Sequence, residues 1–313
     1  MPVRFVACFV LLALLCSCVT KDWYTPAPST PRLLPNEIAF TDLNGPAGRG
    51  GNLFLTLHLE DGQELAFMVD TGSPVTVLDK SLAPKLGERV GRGEAFFPLL
   101  EQRDPASVYR APAIYLGNTR LLTGRWVITE NLAVMTGGPL GGILGMDCLQ
   151  FYSVQLDFSQ NMLRFLDPNA PQLPDFGQPF PMIFSESGPL QVSVPGDFFG
   201  AVYGTSQIDT GDPWDGAATS NLLQQAVHVH TADWSKPVDP AGRQKAHFPQ
   251  VTFAGERYTD VVLHSHGRNI IGLRFLARHL VTLDFPRRTL YLKRTSVGPL
   301  PPTRSRARAG IEP

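Results

Sequence analysis

The chain has 313 residues, of which 43% are hydrophobic and 18% charged, with a formal net charge of −1. That composition supports a sizeable core and excludes global disorder, and the near-neutral balance gives no field to gather nucleic acid. With 29 glycines and 28 prolines, the chain suits short strands joined by turns better than long helices.

Residues 1–18 read as an export signal. Arg4 precedes the apolar run Phe5–Leu15, which is too short to span a bilayer in a mature protein. Leu15-Cys16-Ser17-Cys18 follows and resembles a bacterial lipoprotein box, in which the last cysteine becomes the lipidated first residue. Cys16 stands where that box usually has a small residue. Cys18 is thus the candidate lipid-attachment residue, with plain secretion and an uncleaved anchor as the other two readings. A lipid anchor makes the membrane a partner and places the chain in the cell envelope, on the periplasmic side or the cell surface. Residues 19–45 form the expected tether, rich in proline, threonine and serine through residue 36. Beyond the signal only Cys148 remains. The mature body therefore has no internal disulfide, and Cys148 reads as a small buried hydrophobe.

The first body segment, 46–168, opens on strands at Leu53–Leu59 and Glu64–Asp70 around an Asp61-Gly62 turn. The second strand runs into Asp70-Thr71-Gly72-Ser73. An aspartate ending an apolar strand is costly unless something shares its charge. Further on, Pro112–Gly117 is a short strand with a glycine turn, and Ile143-Leu144-Gly145 opens a short helix. Strands follow at Val154–Phe158 and Met162–Leu166. The proline-dense stretch 169–181 is the expected inter-lobe linker.

The pattern then returns over 182–295. Strands at Leu190–Val194 and up to Asp209 flank a turn at Pro195-Gly196-Asp197. Asp209-Thr210-Gly211 repeats the earlier motif, and Pro249–Gly255 echoes Pro112–Gly117. Ile270-Ile271-Gly272 opens a second short helix before strands at Val281–Phe285 and Thr289–Lys293. Ser220–Val227 is a further helix candidate. Aligned without gaps, 143–165 and 270–292 share Gly145/Gly272, Leu156/Leu283, Asp157/Asp284 and Phe158/Phe285. Such self-similarity at this interval indicates a duplicated domain. The tail 296–313, rich in proline and arginine, reads as disordered.

Two strands each ending in Asp-Thr-Gly, each followed by an apolar-apolar-Gly helix start, resemble the aspartic peptidases. The unit is similar to the retroviral-type lobe, and its fusion resembles the pepsin-like plan, over roughly residues 50–295. The resemblance implies an all-β fold of two related β-barrel lobes with short helices. It implies an aspartic endopeptidase that acts on peptide or protein substrates as a monomer, with no metal and no other cofactor. Asp70 and Asp209 would be the catalytic pair. Thr71 and Thr210 would hydrogen-bond across the lobes, Gly72 and Gly211 would permit the tight turns, and Ser73 would donate to Asp70.

Physical chemistry supports such a pair independently. Two carboxyls at contact distance share one proton, so one acts as base and the other as acid. Asp212 departs from the pattern, standing where Ser73 stands in the first copy. Either it faces the site as a third carboxylate, or it turns outward with Pro213-Trp214-Asp215. It also leaves open a catalytically weakened or inactive peptide-binding envelope protein of the same fold. The substrate-covering hairpin is expected within 92–111, with Phe96, Phe97 and Tyr109 as candidates. His228 with His230, and His264 with His266, sit two apart and could pair on strands as metal ligands. No His-Glu-x-x-His helix accompanies them, and solvent-facing strand histidines are the ordinary reading.

Overall fold

Leu59 and Glu64 are joined by a tight turn in which the Gly62 amide donates to the Leu59 carbonyl at 3.0 Å and Gly62 takes φ +77°. The computed structural model describes residues 38–39, 47–97, 102–133, 140–166, 175–185, 190–200, 204–229, 231–235 and 243–301. The export signal with Cys18, most of the tether, the linker through residue 174 and the tail from residue 302 lie outside them. Among the described residues no helix is long and apolar enough to cross a membrane.

The fold is all-β with short helices, in two lobes of the same internal design. In the first lobe, Glu64–Val69 lies parallel to Gly142–Leu144, which is antiparallel to Val77–Asp79, which is parallel to Trp126–Glu130. In the second, Thr205–Asp209 lies parallel to Ile270–Gly272, then antiparallel to Gly216–Thr219, then parallel to Glu256–His266. Even the register agrees: Leu144 faces Val69 as Ile271 faces Ile208. The short strands Gly142–Leu144 and Ile270–Gly272 at the middle of each sheet are buried throughout, so they read as apolar runs rather than alternating ones.

A third sheet joins the lobes. Ser153–Asp157 pairs antiparallel with His279–Asp284, with Ser153 opposite Asp284 and Leu156 opposite Val281. These are the segments that the duplication aligns, so the two copies meet through equivalent strands. Across the seam Ser153 Oγ donates to Asp284 Oδ1 at 2.7 Å, and Gln155 Nε2 donates to Thr282 Oγ1 at 3.1 Å. Apolar residues from both lobes, including Leu156, Phe158, Val281 and Phe285, form one continuous core beneath this sheet.

Three expectations need correction at the margins of the lobes. The tether ends in structure, since Ile38–Ala39 pairs with Met162–Leu166 at one edge of the joining sheet. The proline-rich linker ends in the strand Gln178–Pro181, which pairs with Thr289–Arg294 at the opposite edge, where two prolines cost no ladder bond on the solvent side. The start of the tail is docked rather than disordered. The Val297 carbonyl accepts from the Thr259 amide at 3.1 Å and from the Arg278 guanidinium at 3.1 Å. Cys148 is buried, and burial pushes its thiol far from the thiolate form, as expected for a packing residue.

Candidate active site

Each Asp-Thr-Gly turn begins where a central strand ends. Val69 is the last residue of the strand Glu64–Val69, so Asp70 leaves the sheet with its amide donating to the Leu144 carbonyl at 3.1 Å. The turn then folds back on its own carboxylate. Asp70 Oδ1 accepts from the amides of Gly72 at 2.7 Å and Ser73 at 3.2 Å. Asp209 Oδ1 accepts from the amides of Gly211 at 2.9 Å and Asp212 at 3.2 Å. Backbone donors therefore hold one oxygen of each aspartate, as the chemistry of a semi-buried carboxyl demands.

Threonines lock the turns together. Thr71 Oγ1 donates to the Ile208 carbonyl at 2.8 Å and accepts from the Thr210 amide at 3.1 Å. Thr210 Oγ1 donates to the Val69 carbonyl at 2.7 Å and accepts from the Thr71 amide at 3.0 Å. Both threonines are completely buried. Asn52 adds a further link, its Nδ2 donating to the Gly211 carbonyl at 3.2 Å.

This reciprocal grip sets the carboxyls of Asp70 and Asp209 against each other, each packed over the glycine of the opposite turn and each shifting the other's titration. The close approach depends on glycine. A Cβ on Gly72 would stand 2.5 Å from Cγ of Asp209, and one on Gly211 would stand 2.5 Å from Cγ of Asp70. Burial raises the Asp70 carboxyl above the usual carboxylate range, against the neighbouring Asp209 carboxyl and the two turn amides. Burial raises Asp209 further, with the charges of Asp70 and Asp212 adding to the shift. Two carboxyls so placed titrate as a unit that holds one proton between them over a wide pH range.

Beneath the turns, Gly145 and Gly272 perform the same task in each lobe. A Cβ on Gly145 would meet the Val75 carbonyl oxygen at 2.4 Å, and one on Gly272 would meet that of Trp214 at 2.4 Å. Their neighbours Ile143, Leu144, Ile270 and Ile271 are buried.

One expected role changes here, and one open alternative is decided. Ser73 Oγ donates to the Val75 carbonyl at 2.8 Å, not to Asp70. Its single proton is taken by its own turn, and its backbone amide reaches the carboxylate instead. Asp212 resolves to the inward alternative. It is buried, its Oδ1 accepts from the Trp214 amide at 3.1 Å, and its Oδ2 lies 3.0 Å from His264 Nε2.

His264 is the residue that the sequence reading misplaced. It is 2% exposed rather than solvent-facing, because Glu256–His266 is an interior strand, flanked by Gly216–Thr219 and Lys245–Phe253. His228 ends the helix Ser220–His228 rather than lying on a strand, and His230 falls outside the described residues. Among the described residues no group of three or more His, Cys, Asp or Glu is placed to hold a metal.

Two more buried networks support the turns. In the first lobe Thr76 Oγ1 donates to Asp147 Oδ1 at 2.7 Å, and the Gly124 amide donates to Asp147 Oδ2 at 3.2 Å. Burial pushes the Asp147 carboxyl up to about 6. In the second lobe Asp215 accepts from Arg274 and Arg278, and from the Val262 amide at 2.9 Å. The hairpin Arg89–Phe97/Gln102–Arg110 forms where the substrate-covering element is expected. Tyr109 packs partly buried against the first-lobe core, while the side chains of Phe96 and Phe97 lie outside the described residues.

Comparison with known proteins agrees with this geometry. Residues 56–148, which contain the first Asp-Thr-Gly and Ile-Leu-Gly, match the family described as aspartyl protease. Among solved structures the fold is similar to the crystal structure of basic 7S globulin from soybean. The TM-score is 0.52 at 13% identity, covering 84% of this chain and 96% of that one. No curated protein matches the chain.

Proposed function

We propose that this chain, aspartic peptidase-like in family and pepsin-like in fold, is an endopeptidase that hydrolyses peptide bonds with water activated between Asp70 and Asp209. The observation that carries the reading is the close approach of the two carboxyls across Gly72 and Gly211, held by the reciprocal threonine grip. In the monoprotonated pair, the carboxylate takes a proton from water as the water oxygen attacks the peptide carbonyl carbon. The carboxylic acid delivers its proton to the carbonyl oxygen, giving a neutral tetrahedral diol. Collapse breaks the C–N bond, the leaving nitrogen takes a proton from the pair, and a diol hydroxyl returns one. The pair ends as it began. Both aspartates belong to one chain, so a monomer is sufficient. An extended peptide would bind across the junction by main-chain hydrogen bonds, as strand addition does.

The test is cleavage of a mixed peptide library across pH, with inhibition by a statine-type mimic of the diol. Asp70→Asn and Asp209→Asn should each lower the rate by at least about 100-fold. Persistent activity in Asp209→Asn would point instead to a homodimer built on the first lobe. The inward-facing Asp212 favours one second reading, a peptide-binding protein with weakened or lost catalysis. Saturable binding of the statine compound without turnover at any pH would select it. For location, we propose anchoring at the cell envelope through lipidated Cys18, on the strength of the Leu15-Cys16-Ser17-Cys18 segment. Loss of fatty-acid labelling in Cys18→Ser tests it.

A further inference from the structure

The second turn carries a charge that the first turn lacks. Ser73 and Asp212 occupy equivalent places: the Ser73 carbonyl accepts from the Met146 amide at 2.8 Å, and the Asp212 carbonyl from the Leu273 amide at 2.8 Å. Their side chains differ in what they engage: Ser73 Oγ donates to the Val75 carbonyl of its own turn, whereas Asp212 Oδ2 faces His264 Nε2. A neutral serine in the first lobe thus corresponds to an acid with a histidine partner in the second.

The geometry ties this acid–base pair to Asp70 and Asp209. The Asp212 amide donates to Asp209 Oδ1, and the Asp212 carboxylate bears electrostatically on both aspartates. Both of its oxygens are already engaged, Oδ1 by the Trp214 amide and Oδ2 by His264 Nε2. Nδ1 of His264 faces the Ser265 carbonyl at 3.3 Å. Both ring nitrogens therefore face acceptors, and the cationic imidazolium is the form that donates on both sides.

We propose that His264 is a positioning residue for the Asp70–Asp209 pair. Its positive charge offsets Asp212, so that a third carboxylate can sit against the two aspartates while they still share a proton. This inference rests on the peptidase reading for its kinetic consequence, though not for its electrostatic one.

The charged surroundings are few. His266, two residues on, has its ring centroid 6.1 Å from that of His264. Burial, then the charges of His264, Arg268 and Arg243, hold it down at about 4, so it adds no charge near neutral pH. Arg268 donates to Gln191 and Gln207. The Lys245 ammonium lies 3.5 Å from the centre of the Trp214 ring, and Asp215 is engaged by Arg274 and Arg278. Of the two strands that flank Glu256–His266, Gly216–Thr219 carries no charged side chain, and Lys245–Phe253 sets Lys245 opposite His264.

Opposite substitutions should act in opposite directions. Asp212→Asn removes a negative charge and leaves His264, so both limbs of the pH–rate profile should move to lower pH. His264→Gln keeps a donor for Asp212 but leaves its charge uncompensated, so both limbs should move to higher pH. Each shift should be on the order of one pH unit, and the double variant should fall between. The carboxyl carbons of Asp70 and Asp209, followed by 13C NMR titration, should show the same opposed shifts without any turnover. His264→Asn, also an amide, checks that a shift is not a misfolding artefact. Titrations that coincide in wild type and both variants, or that move the same way, overturn the inference and leave the peptidase reading standing. A wild-type protein that cleaves nothing overturns the peptidase reading, while the titration still decides the role of His264.

Discussion

Adding a single methyl group at Gly72 should silence the site without unfolding the chain. Gly72 and Gly211 are not among the positive-φ residues, so alanine fits their backbones without strain. The nearest obstacle is the opposite carboxyl, with Cγ, Oδ1 and Oδ2 of Asp209 at 2.5, 2.5 and 2.6 Å from the added Cβ. Ordinary contact begins near 3.4 Å, so Asp209 must retreat by about 0.9 Å. A displacement of about 1 Å of a reacting group costs roughly 100-fold in rate. Folding should lose only part of its stability, because overpacking costs about 1–3 kcal/mol and alanine recovers about 0.4–1 kcal/mol of that by lowering the entropy of the unfolded chain. Gly72→Ala should therefore cleave a library-selected peptide at about 1% of the wild-type rate while still unfolding cooperatively in urea at a modestly lower midpoint. Gly211→Ala, which meets Asp70 at 2.5 Å, should behave alike. Rates within about threefold of wild type would show that the contact between the carboxyls is not what the chemistry uses.

Three further outcomes follow from the buried networks. Thr210→Val deletes the donor to the Val69 carbonyl and the acceptor for the Thr71 amide, both fully buried. It should cost about 2–4 kcal/mol in urea unfolding, whereas Thr210→Ser should retain most of the stability. Arg278→Met removes one of the two arginines that hold buried Asp215, together with donors to the carbonyls of Thr259, Asp260 and Val297. A loss of about 3–5 kcal/mol is expected, with the segment from residue 296 becoming sensitive to protease. Asp147 titrates at about 6 in the folded chain against 3.8 in its unperturbed state. A carboxyl whose folded value is raised binds its proton more tightly when folded. Stability is then full below about pH 3.8 and falls as pH rises toward 6, by about 3 kcal/mol in all. Asp147→Asn should flatten that part of the profile between pH 4 and 7, and an unchanged slope would sink the assignment.

The sequence made legible what is local or what repeats. Asp-Thr-Gly after an apolar strand, glycine before each short helix and the aligned strands around Asp157 and Asp284 all depend on neighbours along the chain, so pattern alone located them. What it could not place depends on partners far away. The direction of Asp212 is set by His264, 52 residues on. His264 broke the usual alternation: Leu263 and His264 are both buried because the strand is covered on its two faces. Ile38–Ala39 and the docked residues from 296 onward carry no repeat, and only the sheet edge and Arg278 that receive them explain their order.

The duplication kept the backbone and reversed the polarity of its supports. In the first lobe the threonine hydroxyl of Thr76 gives a proton to the carboxyl of Asp147. At the equivalent line in the second lobe, Asp215 takes protons from Arg274, so donor and acceptor have changed ends. Ser73 against Asp212 shows a neutral hydroxyl replaced by a carboxyl that meets His264. Each substitution is tolerable only with its partner, since a buried charge left alone costs several kcal/mol. The threonine grip and the two glycines beside the carboxyls, by contrast, are chemically identical in both lobes, because each side of that contact must fit the other. The symmetric elements are thus those that touch across the junction. The asymmetric ones lie one layer behind, where they tilt the field on the aspartates without altering their distance.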